Sequence, residues 1–286
     1  MDTSIGNAKA ALLYLRFDLA MYANLRPVTS VDCIPSIIGS GKTNLVIVRE
    51  LTEGTYPGRE GQIADLRGKW PDYKDRRGQG LPEEGAFALR IITPSAVERI
   101  VKYAIRLAKH RKAQGYSRGH VSIVHKANVL QTTDGLFLDI CRKHLEESGL
   151  SFDDIYVDEA ARRLVAEPEN YDVIVTSNLF GDVLSDVASE VMGGMPMVPS
   201  AAVGATGAYF EACHGSAPDI VGTGKANPAA TILSGAMMLS YLGESEAAQR
   251  LIDATLGVIR SGTKTADLGG SATTDSFTDA IVARLS

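Results

Sequence analysis

The chain has 286 residues, of which 45% are hydrophobic and 22% charged, with a formal net charge of −5. That length and composition suit one large α/β unit or two smaller domains with real cores. The acidic balance supplies no basic face for nucleic acid or an anionic membrane, and no apolar run in the sequence is long enough to span a bilayer.

Residues 1–9 carry no basic stretch followed by an apolar one, so no signal peptide is expected. Cys33, Cys141 and Cys213 lack CxxC spacing and read as reduced thiols of a cytoplasmic protein. A helical pattern covers residues 8–23, an unusual opening for an α/β enzyme, which ordinarily begins with a strand. Residues 44–48 read as a strand, and the polar stretch 58–85 as a surface loop or arm. Next come a strand at 88–93, a helix at 97–112 entered through Pro94, a strand at 120–124 and a helix at 132–147. Strands at 154–157 and 171–176 follow, the second after a break at Pro168 and Asn170. Helices are expected at 182–191, 228–242 and 244–261. The alternation predicts an α/β fold with much parallel pairing.

Gly39–Ser40–Gly41–Lys42–Thr43 looks like the end of a P-loop, but the required earlier glycine is replaced by Ser36 and a strand, not a helix, follows. A phosphotransferase of that type would bind ATP through Lys42, and no such binding is expected. No GxGxxG follows a strand, and no HExxH or Cys/His zinc pattern is present.

Five constellations can carry chemistry. Arg16, Arg26 and Arg49 offer planar forks suited to carboxylates, and Arg49 closes an apolar strand, a good place for a cleft; otherwise they are solvated surface charges. Tyr56 lies in a turn seven residues after Arg49. Lys126, in His125–Lys126–Ala127–Asn128, follows a strand, where desolvation can lower an amine toward use as a base, although many such lysines are simply exposed. Asp182 and Asp186 share a helix face, and their repulsion is relieved either by solvent or by a divalent ion such as Mg²⁺ or Mn²⁺; Asp158 is a third oxygen donor. His214–Gly215–Ser216–Ala217–Pro218–Asp219, then Asn227–Pro228 before a helix, is either a plain Gly-rich loop with a cap or a close-approach ligand loop. In the second case Asp219 would accept from a ribose diol and repel a 2′-phosphate, favouring NAD over NADP.

Taken together, residues 24–27, 48–58, 125–130, 172–189, 210–228 and 267–271 resemble the isocitrate/isopropylmalate dehydrogenase family, in its order and spacing, from about Ala11 onward. The resemblance implies an isopropylmalate dehydrogenase-like fold, a two-domain α/β/α sandwich. Residues 1–21 and 193–286 would form the large, cofactor-binding domain, and 22–192 the small domain with the dimer interface. The family's opening strand and GDGIGP-like turn have no counterpart before Ala11, so the large domain is expected to be truncated. Met195–Pro196–Met197 also places proline where the family has glycine.

By position, the resemblance makes Arg16, Arg26 and Arg49 the holders of the malate carboxylates. Tyr56 becomes the acid that protonates the enolate, and Lys126 the base at the C2 hydroxyl. Asp158, Asp182 and Asp186 become ligands of Mg²⁺ or Mn²⁺. His214, Gly215, Ser216, Ala217, Asp219 and Asn227 form the adenosine-binding loop for NAD. In the family the lysine and one aspartate reach across from a second subunit, which implies a homodimer or higher homo-oligomer. The implied reaction is metal-dependent oxidative decarboxylation with hydride transfer to NAD.

Isocitrate enzymes place serine and asparagine six and four residues before the first arginine. Here those positions are Ala10 and Leu12, with Leu13 adjacent. An apolar lining disfavours a third carboxylate and suits 3-isopropylmalate, with Lys9 as a counter-indication. Isocitrate, tartrate and D-malate remain alternatives, as does a non-catalytic regulatory subunit.

Overall fold

Val, Ile and Leu alternate along the runs near 44, 120 and 171 and are buried on both faces, as central strands covered by helices on either side must be. The computed structural model describes residues 11–34 and 42–286; the readings on Lys9, Ala10 and residues 39–41 lie outside the described residues. A short helical stretch ends in a π-helical turn, Tyr14–Asp18. β1 (Ala23–Thr29) and β2 (Asn44–Glu50) follow. A separate ribbon pairs β3 (Glu60–Gln62) with β4 (Ala86–Ala88), with α1 (Ile63–Lys69) between them. Then come α2 (Pro94–Ala113), β5 (His120–His125), α3 (Thr133–Ser148), β6 (Ser151–Tyr156), α4 (Val157–Ala166), β7 (Val173–Thr176) and α5 (Asn178–Ser189). β8 (Pro199–Val203), β9 (Ala208–Ala212), α6 (Ala229–Tyr241), α7 (Ser245–Arg260) and α8 (Thr274–Leu285) complete the described elements.

Seven strands form one mixed sheet in the order β6-β5-β7-β2-β1-β8-β9. The β6, β5, β7 and β2 neighbours are parallel, and β1, β8 and β9 join antiparallel. Strand alternation sorts the core into two layers. Leu45, Ile47, Val124 and Ile174 pack with Leu164 of α4, Leu184 of α5 and Val258 of α7. Val46, Val48, Val121, Ile123, Val173 and Val175 pack with Ile100 of α2 and Phe137 of α3. Helices therefore cover both faces. Among the described residues no helix is long and apolar enough to cross a membrane.

The structure departs from the sequence-based expectation where local pattern is weak. The helical reading of 8–23 stops at Asp18, and Ala23 opens β1. Arg26 and Pro27 hide this strand in the sequence. Its pairing with β8 ends at Leu25, which leaves Pro27 an unpaired side. The strand expected at 88–93 shrinks to Ala86–Ala88 plus a single bridge from Ile91 to Gly54. Residues 154–157 split: the strand runs Ser151–Tyr156 and Val157 starts α4. β8, with Ser and Ala between Pro199 and Val203, is wholly buried although its small residues carry little hydrophobic signal. The arm at 58–85 contains β3 and α1, and Ile63 is buried.

Candidate active site

The site grows from the carboxyl ends of β2 and β7, the usual place for a crevice in an open α/β sheet. Arg49 is the penultimate residue of β2 and pairs with Asn24 of the antiparallel β1, so both strands deliver polar groups to one spot. Asn24 and Arg26 are two apart on β1 and share the face of Val28, which packs in the layer containing Leu184 of α5. Arg26 Nε donates to Asn24 Oδ1 at 2.8 Å, and Arg26 also donates to Ser185 Oγ. Its guanidinium lies 3.1 Å from Asp182 and 3.9 Å from Asp186.

Arg49 is 1% exposed and carries its charge inside the fold because its donors are matched. Nε and Nη2 donate to Asn178 Oδ1 at 2.9 and 2.7 Å, and Nη1 pairs with Asp182. The phenol of Tyr56 donates to the other Asp182 oxygen, and the Arg49 guanidinium lies 4.8 Å from the centre of its ring. Gly181 permits this approach: a Cβ there would stand 2.7 Å from both Cβ and Cγ of Arg49.

The electrostatics follow. Burial and the neighbouring Arg26 pull Arg49 below its ordinary pKa, with Asp182 opposing, yet a guanidinium stays charged. Burial alone would raise Asp182, but Arg49, Tyr56 and Arg26 outweigh it and hold the carboxyl low. Burial and the Asp182 charge push Asp186 up. Burial and the hydrogen bond to Asp182 push Tyr56 up, so it keeps its proton at neutral pH. Two carboxylates one helical turn apart, one of them raised by its neighbour, suit a hard divalent cation.

Arg16, in the π-helical turn, donates Nε to Tyr209 Oη at 3.0 Å and Nη2 to Glu211 at 3.4 Å. Its charge is felt by Arg49, which places it at the rim of the same cluster. Leu12 is half-buried and Leu13 is 37% exposed.

Lys126 and Asp158 form a second group. Lys126 follows β5, Asp158 opens α4, and the two are ion-paired. The Lys126 backbone N–H donates to Asp134 at 2.7 Å, and Asp134 is buried and ion-paired with Arg90. Among the described residues no hydrogen bond or ion pair joins Lys126 or Asp158 to Asp182 or Asp186, and no three acidic, histidine or cysteine side chains form a metal cluster. The Asp158–Asp182–Asp186 trio is therefore not assembled within one chain.

The loop after β9 lines a cavity of about 650 Å³ with His214, Gly215, Ser216, Ala217 and Asn227. Ala217, which lines the cavity, adopts a positive φ of 42°, an uncommon backbone conformation for a residue with a Cβ. Asn227 Oδ1 caps α6 by accepting from Ala229 N–H at 2.9 Å, and its Nδ2 donates to Asp267 at 2.9 Å. Asp219 does not line the wall; it is exposed in the adjoining 3₁₀ turn Pro218–Ile220, and Ile220 and Val221 face the cavity instead.

Sequence reasoning missed several members. Asn178 and Ser185 share the α5 stripe with Asp182 and Asp186, a polar face readable from spacing. Thr274 and Asp275 line the cavity from the first turn of α8, behind the capping box of Thr273 and Ser276. Tyr209 and Glu211, on β9, had no local signal.

The crevice of this α/β sheet thus gathers two buried arginines, a phenol and paired acids, and the loop after β9 frames a separate cavity lined by small residues. Residues 3–281 match the family model for isocitrate/isopropylmalate dehydrogenase. The chain is 46% identical over 276 residues to isocitrate/homoisocitrate dehydrogenase of Thermus thermophilus, covering 96% of this chain and 75% of that protein. It is 42% identical over 283 residues to 3-isopropylmalate/3-methylmalate dehydrogenase of Methanocaldococcus jannaschii, covering 97% and 78%. The crystal structure of isocitrate dehydrogenase from Methylococcus capsulatus superposes with a TM-score of 0.82 at 39% identity, covering 95% of this chain and 75% of that one. The chain belongs to the isocitrate/isopropylmalate dehydrogenase family, whose members are NAD-dependent decarboxylating 2-hydroxy acid dehydrogenases.

Proposed function

We propose that the protein oxidises and decarboxylates a 3-substituted malate of the 3-isopropylmalate type, using NAD and Mg²⁺ or Mn²⁺. The observation that carries this reading is the convergence of Arg26, Arg49 and Tyr56 on Asp182. Arg16, Arg26 and Arg49 orient the two malate carboxylates. Asp182 and Asp186 hold the divalent ion. When bound, that ion polarises the C2 oxygen, and NAD, in the cavity of His214 to Asn227, accepts the electrons. Lys126, as the neutral amine, would take the C2 hydroxyl proton, and Asp158 would hold the ammonium so formed. Tyr56, still protonated, delivers a proton to C3 once carbon dioxide has left.

Because Lys126 and Asp158 do not reach the Asp182 cluster in one chain, we infer that a second copy supplies them. Exposed Val165, Leu179, Val183 and Tyr156 on and beside α4 and α5 provide an apolar face for that copy. The two-domain division expected from the sequence is part of the same proposal, with 22–192 carrying this face.

Leu12 lies one helical turn before Arg16, so an apolar side chain sits beside a carboxylate-binding arginine. This supports an alkyl group at C3. The 46% identity to an isocitrate/homoisocitrate dehydrogenase supports a carboxylated C3 group as the second reading. NADH formation by the purified chain with Mn²⁺ decides between them. The highest kcat/KM on 3-isopropylmalate is expected, against D-malate, tartrate and isocitrate. Preference for isocitrate overturns the substrate assignment. Turnover appearing only after mixing with a full-length relative would identify a dependent subunit.

A further inference from the structure

The parallel strands β5 and β6 carry Lys126 and Asp158 just beyond their carboxyl ends. Their amino ends frame a different cavity, of about 370 Å³, lined by Arg118, His120, Ser151, Asp153, Arg163 and Tyr171 among others. Its acids already have partners. His120 bridges Ser151 Oγ and Asp153, each at 3.0 Å. Arg163 pairs with Glu159 at 2.8 Å and stands 3.9 Å from Glu167. Glu167 also accepts from Asn170 Nδ2 at 2.9 Å.

Two groups in the cavity are left over, and both are donors. Arg118, an exposed side chain, donates to the backbone carbonyl of Asn170 and among the described residues has no carboxylate partner. The Tyr171 side chain is buried, 6% exposed, and among the described residues its hydroxyl has no hydrogen-bond partner. A buried polar atom without a partner is rare, and in a cavity it points to something that binds there. Asn170 and Tyr171 are consecutive, so the bond to the Asn170 carbonyl holds Arg118 beside the tyrosine. Burial, with Asp153, Glu159 and Glu167 nearby, pushes the Tyr171 phenol up to about 12, so at neutral pH it keeps a proton to donate.

We propose that this cavity binds a small oxyanion, a carboxylate or a phosphate group, received by the Arg118 guanidinium and the Tyr171 hydroxyl. A charged fork and a buried O–H can both donate to such a group, while the carboxylates of the same wall, Asp153 and Glu167, are engaged by His120 and by Asn170 and Arg163. The site stands at the opposite end of the strands from the catalytic residues and shares none of them.

The test is a crystal of the full chain soaked in selenate, joined to calorimetric titrations with inorganic phosphate and, separately, with succinate. An anomalous peak within hydrogen-bond distance of Arg118 and Tyr171 is expected. Arg118→Gln should abolish the peak and weaken the tighter-binding anion by about tenfold or more, and Tyr171→Phe should weaken it several-fold. Both variants leave Arg26, Arg49 and the cofactor loop untouched, so anion binding there stays unchanged. Phosphate binding alone, or succinate binding alone, would each support the site and identify its occupant. Density for water only, or affinities unchanged in both variants, would overturn it.

Discussion

Arg49 shows how much of the chemistry is decided by single side chains. Its charge survives burial because Asn178 and Asp182 absorb its donors, and Gly181 leaves room for its stem. Gly181→Ala is expected to push Arg49 aside: KM for the hydroxy acid rises about tenfold or more, and overpacking lowers stability by about 1–3 kcal/mol. Steady-state kinetics and urea unfolding check the two effects, and an unchanged KM would deny Arg49 its role. Tyr56→Phe would remove the proposed carbon acid, so kcat should fall about a hundredfold with KM nearly constant. The phenol is held above its ordinary value by burial and Asp182, and in the proposed reaction the protonated form is the one that acts. If Tyr56 acts as an acid, the alkaline loss of kcat should therefore set in at a higher pH than an unperturbed phenol would give, and a kcat–pH profile checks this. Residue types at this scale were legible: the arginines, tyrosine, lysine and aspartates stood out in the sequence. Asn178 and Ser185 were readable only as part of the α5 stripe, and Glu211 not at all, because a lone polar residue acquires meaning only from what it touches.

At the scale of elements, α5 works on three fronts. One stripe, Asn178, Asp182, Ser185 and Asp186, faces the arginines; Leu184 and Ala188 enter the core; Leu179 and Val183 remain exposed. With Val165 of α4, these last residues are expected to bury against a second copy. Val183→Asp should split the dimer in analytical ultracentrifugation while far-UV circular dichroism stays the same. kcat should fall with the dimer fraction, since Lys126 and Asp158 would no longer be delivered. Full activity in a monomer would sink that arrangement. Element boundaries were half legible. α2 shows its cap, Thr93 accepting from Ala96 N–H with Pro94 following, but α4 hides behind the strand before it, since Val157 suits either.

At the scale of the whole molecule, Asp172 ties the layers together. It accepts from Arg111 Nε of α2 at 2.8 Å and from the backbone N–H groups of Gly119 and His120 at 3.0 and 2.9 Å, while Arg111 also reaches the Asn44 carbonyl of β2. Asp172→Ala would strand a buried guanidinium and is expected to cost about 3–5 kcal/mol in urea unfolding. kcat of the folded fraction should change little, because this latch lies at the amino ends of strands whose carboxyl ends hold the site. The sequence by itself determined the helix-covered, largely parallel centre of the sheet and the kinds of side chain in the site, because periods of two and about 3.6 are written in neighbouring residues. Only the tertiary structure decided that residues 23–29 form a strand, that Arg26, Arg49 and Tyr56 meet at Asp182, and that Lys126 and Asp158 stand apart from them. Those outcomes depend on strand register and on which buried faces fit together across more than a hundred residues, and no local pattern encodes that distance.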